Sequence, residues 1–161
     1  GLVPEHSLAD SLSIGIRDLV SRRGLVDRRA ERSWIERLIA EYDIRSTSPT
    51  QAVGTLSGGN QQKVVLGRAV AGAPKLLILE EPTRGVDIGA RFDIYSILRE
   101  LAAQGTAILL VSSDLPELLG MSDRIAILRE GQLSAPIPAA GLGEDDLINL
   151  CYGRSTGRKT V

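Results

Sequence analysis

The chain has 161 residues, enough for one domain with a real hydrophobic core. Its hydrophobic content of 43% and charged content of 24% are those of a globular protein, and a net charge of −1 from 19 basic and 20 acidic residues gives no electrostatic case for nucleic acid. A single cysteine excludes an internal disulfide and fits a reducing cytosol; no apolar run approaches the roughly 20 residues of a membrane helix and no signal peptide is visible, so any membrane association runs through a partner.

Gly1 to Glu5 is a leading segment. Ser7 is placed to cap a helix from Leu8 to about Val20, with Leu8, Leu12 and Leu19 among its apolar positions, and Arg22-Arg23-Gly24 breaks it. A second helix is predicted from about Asp27 to Tyr42, where Trp34, Ile35, Leu38, Ile39 and Tyr42 repeat at helical spacing. Arg28, Arg29, Arg32 and Arg37 read as a solvated face and Trp34 as core. Ser46 to Thr55 is rich in Ser, Thr and Pro and reads as a loop. His6, the only histidine, lies far in sequence from any carboxylate pair.

The stretch Leu56 to Asp87, LSGGNQQKVVLGRAVAGAPKLLILEEPTRGVD, holds two pieces of phosphate chemistry. Ser57-Gly58-Gly59 opens a helix expected from about Gln61 to Ala71, with Val65 and Ala69 on one face, Leu66 and Val70 beside them, and Gly72 and Pro74 as the stop. Ser57 can cap that helix, the glycines allow close backbone approach, and a helix start with free N–H groups suits an anion such as a phosphate. Leu76-Leu77-Ile78-Leu79 then reads as a strand buried on both faces of a parallel sheet. Glu80-Glu81 follows at its C-terminal end, where open α/β sheets bind ligands. Adjacent strand residues point to opposite sides, which lets one carboxylate face a metal and the other a water. Pro82 ends the strand, Thr83 to Asp87 is a loop, and Asp87 is placed to cap the next helix.

That helix is predicted from about Ile88 to Ala103 on Ile94, Ile97, Leu98 and Leu101, with Gly105 as its stop. Ala107 to Val111 is a second apolar strand, expected beside Leu76–Leu79 and parallel to it because an amphipathic helix of crossover length joins them. Ser112-Ser113-Asp114 lies at its end, and Leu115 to Leu119 reads as a short helix ended by Gly120. Arg124–Leu128 and Gln132–Ser134 flank Glu130-Gly131 as a hairpin. Glu144 to Cys151 is a last short helix with Cys151 as buried packing, and Arg154 to Val161 reads as a frayed basic tail.

Alone, SGG before a helix is an ordinary cap and EE after a strand a solvated strand end. Together, in this order and spacing, they are specific. LSGGNQQ resembles the signature motif of ATP-binding cassette (ABC) ATPases, and LLILEEPTRGVD resembles their magnesium-and-catalytic-carboxylate strand with the loop that follows. NQQK, EPTRGVD and VSSDLPELLGMSDRI resemble more narrowly the second cassette of the tandem ATPase subunits of bacterial monosaccharide importers of ribose, galactose or xylose type, over Gly1 to about Gly153.

The resemblance implies an α/β fold, part of the P-loop NTPase (ABC cassette) fold, with a mostly parallel sheet flanked by helices and an N-terminal helical subdomain. It implies a helical subdomain over 1–60 ending in the signature, an α/β core over 61–134, and a C-terminal helix and tail over 135–161. ATP and Mg2+ are the implied cofactors. In the family Ser57, Gly58, Gly59 and Gln61 contact the γ-phosphate held by the opposite cassette, Glu80 serves the magnesium, Glu81 polarises the attacking water, and Asp87 couples the two sites. The implied partners are an opposing cassette, membrane permease subunits and, indirectly, a periplasmic sugar-binding protein, which places the chain at the cytoplasmic face of the membrane.

Two positions depart from the general pattern. Glu80 stands where the family has Asp, and its extra methylene moves the carboxylate by up to about 1.5 Å, which matters for an ion as exacting as magnesium. Ser113 stands where most cassettes carry a histidine near the γ-phosphate; sugar-importer second cassettes share that serine, and it implies a weakened hydrolytic site beside Glu81. No G-x-x-x-x-G-K-[ST] occurs; the run Gly153 to Thr160 has the wrong spacing and no preceding strand. With Gly1 in place of an initiator Met, the chain reads as the C-terminal part of a cassette, inactive alone. The alternative is a non-catalytic remnant or regulatory module of the same fold. A DNA-repair or chromosome-structure ATPase shares the signature but carries long coiled coils before it, for which Ser46–Thr55 is too short and too polar.

Overall fold

The computed structural model describes residues 1–153; the tail expected over Arg154–Val161 lies outside the described residues. The chain divides into two compact units, Gly1–Leu109 and the remainder from Leu110.

In the first unit α1 (Leu8–Val20) starts where Ser7 accepts the Asp10 N–H at 3.0 Å. Leu8, Leu12, Ile16 and Val20, at successive i+4 positions, form its buried stripe, whereas Leu19, named among the apolar positions of the helix, is 49% exposed. The break after α1 is a tight hairpin. β1 (Ser21–Arg22) pairs antiparallel with β2 (Leu25–Val26) across Arg23 and Gly24, whose φ angles of 50° and 79° match the left-handed turn that suits hairpin twist. α2 (Arg28–Glu41) follows, with Asp27 accepting the Arg29 and Ala30 N–H groups. Ile35, Leu38 and Tyr42 are buried, while Trp34 is only half-buried, with the Arg37 guanidinium 3.5 Å over its ring.

α1 and α2 are joined through a buried polar contact. Ser13 Oγ donates to Glu31, whose other oxygen pairs with Arg28 at 2.9 Å. The Ser13 hydroxyl, then the Arg28 guanidinium, hold the Glu31 carboxyl below the ordinary value of 4.5. At the end of α2, burial and the neighbouring Glu41 push the Tyr42 phenol up to about 12.

α3 (Gly58–Val70) begins three residues before the predicted start. Its buried face is Gly59, Lys63, Val64, Leu66, Gly67 and Val70; Val65 is half-buried and Ala69 exposed, so the expected apolar face is rotated. Two glycines set how closely α3 packs. A Cβ on Gly15 of α1 would run into the Arg68 carbonyl, and one on Gly67 would stand 3.2 Å from the Tyr42 ring. A short 3-10 turn, Val53–Thr55, leads into α3.

β3 (Leu76–Glu80) and β4 (Ala107–Val111) are neighbours. The Ala107 N–H donates to the Lys75 carbonyl at 3.0 Å, which brings the two strand starts side by side, so the strands run parallel as predicted. Between them α4 (Ile88–Ala103) buries Ile94 and Leu98 and stops at Gly105, φ 96°. Burial on both faces does not hold. Leu77 and Leu79 are buried, but Leu76 and Ile78 are 53% and 62% exposed, and Leu109 and Val111 are also open. The alternation follows from the period-two geometry of a strand covered on one side.

The second unit packs α5 (Leu115–Met121) against α6 (Glu144–Cys151) around Ile125, Ala139 and Leu147. α5 runs through Gly120 rather than ending before it, and Asp114 caps it by accepting the Glu117 N–H. The expected single hairpin is two short pairings. β5 (Arg124–Ile125) pairs with β8 (Ile137–Pro138), and β6 (Leu128–Arg129) pairs with β7 (Gln132–Leu133) across Glu130 and Gly131 at φ 51° and 78°. Cys151 is exposed, not buried, because the inward face of α6 is set by Leu147 and Leu150.

Candidate functional site

The start of α3 is held from three sides. Ser57 Oγ accepts the Asn60 backbone N–H at 3.4 Å and the Asn60 side-chain amide at 2.8 Å. Asn60 Oδ1 in turn accepts the Arg45 N–H at 2.8 Å, which ties the helix start to the turn after α2. Gln61 Nε2 donates back to the Leu56 carbonyl at 2.9 Å. The first N–H groups of a helix have no partner within it, so Gly58 and Gly59 present donors at a positive dipole end. A shallow depression of about 340 Å3, lined by Arg45, Thr47, Gln51, Thr55, Ser57 and Asn60, opens beside this end.

The same helix start lies against the loop that follows the carboxylates. A Cβ on Gly58 would stand 3.2 Å from the Gly85 carbonyl, and one on Gly59 would run into the Ala90 methyl. Asp87 Oδ1 accepts the Ala90 N–H at 2.9 Å, so one carboxylate oxygen is engaged in capping α4, as its position in the sequence suggested. A second depression of about 310 Å3 lies among Gly58, Gln61 and Gln62 of α3 and Arg84 and Val86 of the loop. Ser57, Gly58, Gly59, Gln61 and Asp87 are therefore brought together in the first unit.

Glu80 ends β3 and is exposed. Glu81 lies off the strand, half-buried, at φ 47°. Strand alternation does not extend to it, because a left-handed residue, not a pleat, sets where its side chain leaves the backbone. The turn beyond it is closed by the Arg84 N–H on the Glu81 carbonyl and the Val86 N–H on the Thr83 carbonyl, each at 3.2 Å, with Thr83 buried. Ser113 is exposed in the second unit, between β4 and α5.

Among the described residues there is no group of three or more His, Cys, Asp or Glu side chains able to hold a metal ion. Magnesium characteristically takes one or two carboxylates and fills its octahedron with phosphate oxygens and water. The exposed Glu80 fits that role for an ion arriving with a nucleotide; a protein-only cage is not built here.

Two residues escaped the sequence reading. Asn60 is the partner of both Ser57 and the Arg45 N–H. Lys63, 5% exposed in its side chain, pairs with Asp93 of α4 at 2.8 Å. Its signal was there: Lys63 falls at i+4 from Gly59 and i−4 from Gly67, in the middle of the buried stripe of α3.

The model of the family described as ABC transporter matches residues 1–84, just over half of the chain. The chain is 42% identical over 154 residues to the xylose import ATP-binding protein XylG of Brucella abortus, covering 96% of this chain and 30% of that protein. It is 41% identical over 157 residues to the ribose import ATP-binding protein RbsA 2 of Streptomyces coelicolor, covering 98% of this chain and 30% of that protein. It thus spans about 30% of the length of the curated relatives it matches. Among solved structures, the ATP-binding cassette MJ0796, a dimer in a post-hydrolysis state bound to ADP and Pi, superposes with a TM-score of 0.71 at 20% identity, over 88% of this chain and 60% of that one. That likeness shows the fold, and the fold class expected from the sequence holds. With its capped glycine-led helix packed on the loop after a carboxylate-ended parallel strand, and with that match across Gly1–Arg84, the chain belongs to the ABC transporter family.

Proposed function

We propose that this chain supplies the signature face and the carboxylate strand of an ATP-hydrolysing cassette that energises monosaccharide uptake. The observation that carries the reading is the packing of the Ser57–Gly59 helix start on the Gly85–Ala90 loop, which places free helix N–H groups and Asp87 on one surface. The names of the xylose and ribose import relatives support the substrate class. Each residue then has a role. The Ser57 hydroxyl and the Gly58 and Gly59 N–H groups donate to the γ-phosphate oxygens of ATP held by an opposing cassette, with Gln61 beside them. Glu81 accepts the hydrogen of the attacking water and orients it; Ser113 contacts the γ-phosphate region. Glu80 holds the magnesium, whose charge offsets that of the phosphates when bound. Asp87 ties the two nucleotide sites together across the dimer.

The partners in this reading are the opposing cassette, a permease in the membrane and, through it, a periplasmic sugar-binding protein, with the chain on the cytoplasmic side. No helix among the described residues is long and apolar enough to cross a membrane. A second reading is a non-catalytic remnant or regulatory module of the same fold.

One experiment separates the two. In the full-length gene product reconstituted with its permease, Ser57→Arg is expected to abolish sugar-stimulated ATP turnover, and Glu81→Gln to trap ATP without hydrolysing it. Xylose or ribose uptake should fall with both. Wild-type protein that binds ATP but shows no turnover with any pentose or hexose supports the regulatory module instead.

A further inference from the structure

Lys63 sits in the middle of the first unit, where three elements meet. Its ammonium lies 2.8 Å from Asp93 Oδ2 on α4 and 3.6 Å from Asp43 Oδ2, and donates to the Asp43 carbonyl at 3.2 Å. The lysine side chain is 5% exposed, whereas its two carboxylate partners are 50% and 66% exposed. The charge is therefore buried beneath a pair of acids that keep contact with water. The ammonium is paired and hydrogen-bonded, and its carboxylate partners retain solvation. Asp43 stands at φ 44° in the turn that ends α2, and Arg45 in that turn is gripped by Asn60, one helical turn before Lys63.

We infer that Lys63 is a positioning residue, fixing the register of the signature helix α3 against both α4 and the turn after α2. Ser57–Gly59 and Asp87 are the N-terminal ends of α3 and α4, and two contacts tie those helices together: Gly59 against Ala90 near the ends, and Lys63 to Asp93 one turn further in. Packing of a glycine on a methyl resists approach but not sliding or separation. A buried ion pair is directional and resists both. Lys63 thus holds the spacing between the phosphate-facing helix start and the loop that carries Asp87. Through Asp43 it also makes a movement of α2 felt at both. For turnover, this rests on the function proposed above; for positioning, it stands on the contacts alone.

The test is backbone hydrogen exchange and steady-state ATP turnover in the full-length gene product, for wild type, Lys63→Met, Lys63→Arg and Asp93→Asn. In Lys63→Met the amides of Asn60–Gln61 and of Ala90–Arg91 should exchange about 10-fold faster or more, with those of Leu12–Ile16 in α1 unchanged. Lys63→Arg, which keeps the charge and can reach both carboxylates, should restore most of the protection. Asp93→Asn alters a half-exposed partner, so it remains folded if Lys63→Met does not, and should loosen the same two segments. In turnover, Lys63→Met should lower kcat about 10-fold with KM for ATP within about 2-fold, as for an interaction felt after nucleotide is bound. Exchange that is unchanged in the two segments, or raised equally throughout the chain, overturns the inference, as does an unaltered kcat in an active protein. If the wild type itself does not hydrolyse ATP, the proposed function fails while the exchange pattern still decides the role of Lys63.

Discussion

Glu81 is a glutamate in a backbone region that L-residues avoid, at φ 47° directly after a strand. Such a residue costs about 1–2 kcal/mol, and strain of this kind concentrates at sites where it fixes a side chain. Comparing two truncations isolates it, because both remove the carboxylate. Glu81→Gly is expected to be more stable than Glu81→Ala by about 1 kcal/mol, measured by urea unfolding; equal stabilities would show that the turn relaxes. Glu31 gives a pH signature of a different kind. Its carboxyl is held below 4.5 by Ser13 and Arg28, so the folded state prefers the charged form. That preference stabilises the fold above pH 4.5 and is lost as pH falls through the folded-state value. Ser13→Ala should therefore cost about 1.5–3 kcal/mol near neutral pH, as for a hydrogen bond to a charged group. The gap to wild type should close once Glu31 is protonated. A gap that stays constant from pH 7 into that acid range would remove the hydroxyl–carboxylate contact from the explanation.

At the scale of elements, glycine makes opposite predictions in different helices. Gly15 faces the Arg68 backbone and Gly59 the Ala90 methyl, with no room for a Cβ, whereas Gly120 in α5 has no atom within 4 Å of where a Cβ would stand. Gly15→Ala and Gly59→Ala should each destabilise by about 1–3 kcal/mol through overpacking, and Gly120→Ala should stabilise by about 0.5–1 kcal/mol through helix propensity. Thermal melts check the signs; a stabilised Gly59→Ala would mean that α3 and α4 can part without cost. These crossings also mark where sequence stopped being informative. α1 and α4 were legible to the residue, because Ser7 and Asp87 cap them and their apolar residues recur at helical spacing. Ser57 was legible as a helix cap for the same local reason. What depends on a neighbour was not. Lys63 looks like a surface lysine until α4 brings Asp93 to it, and Leu19 cannot be told from the other apolar positions of α1 until the buried face is fixed by α3. The one-sided burial of β3 could not be read from four consecutive apolar residues, which fit equally a strand covered on both faces.

For the molecule as a whole, the donors proposed to face phosphate are few. A P-loop surrounds phosphates with successive N–H groups and a lysine; in the function proposed above, the Ser57 hydroxyl and the first N–H groups of α3 would form one side of a sandwich. A solvent-exposed helix end contributes about 0.3–1 kcal/mol, whereas micromolar binding requires about 8 kcal/mol. These 161 residues alone are therefore expected to show no saturable Mg-ATP binding at micromolar concentration in a calorimetric titration. The same preparation should self-associate through the sheet, since Leu76, Ile78 and Leu109 present apolar side chains to water on strands whose outer edges are unpaired among the described residues. Ile78→Thr tests this without touching the core. With 62% of Ile78 already exposed, stability should change by less than about 0.5 kcal/mol, while sedimentation should show a smaller associated fraction at equal concentration. Association that is undiminished by Ile78→Thr would place the contact elsewhere. Micromolar ATP binding by the wild-type chain, lost in Glu80→Ala and Ser57→Arg together, would show that the signature face and the carboxylate strand form a nucleotide site without a P-loop, and would overturn the division of labour proposed for them.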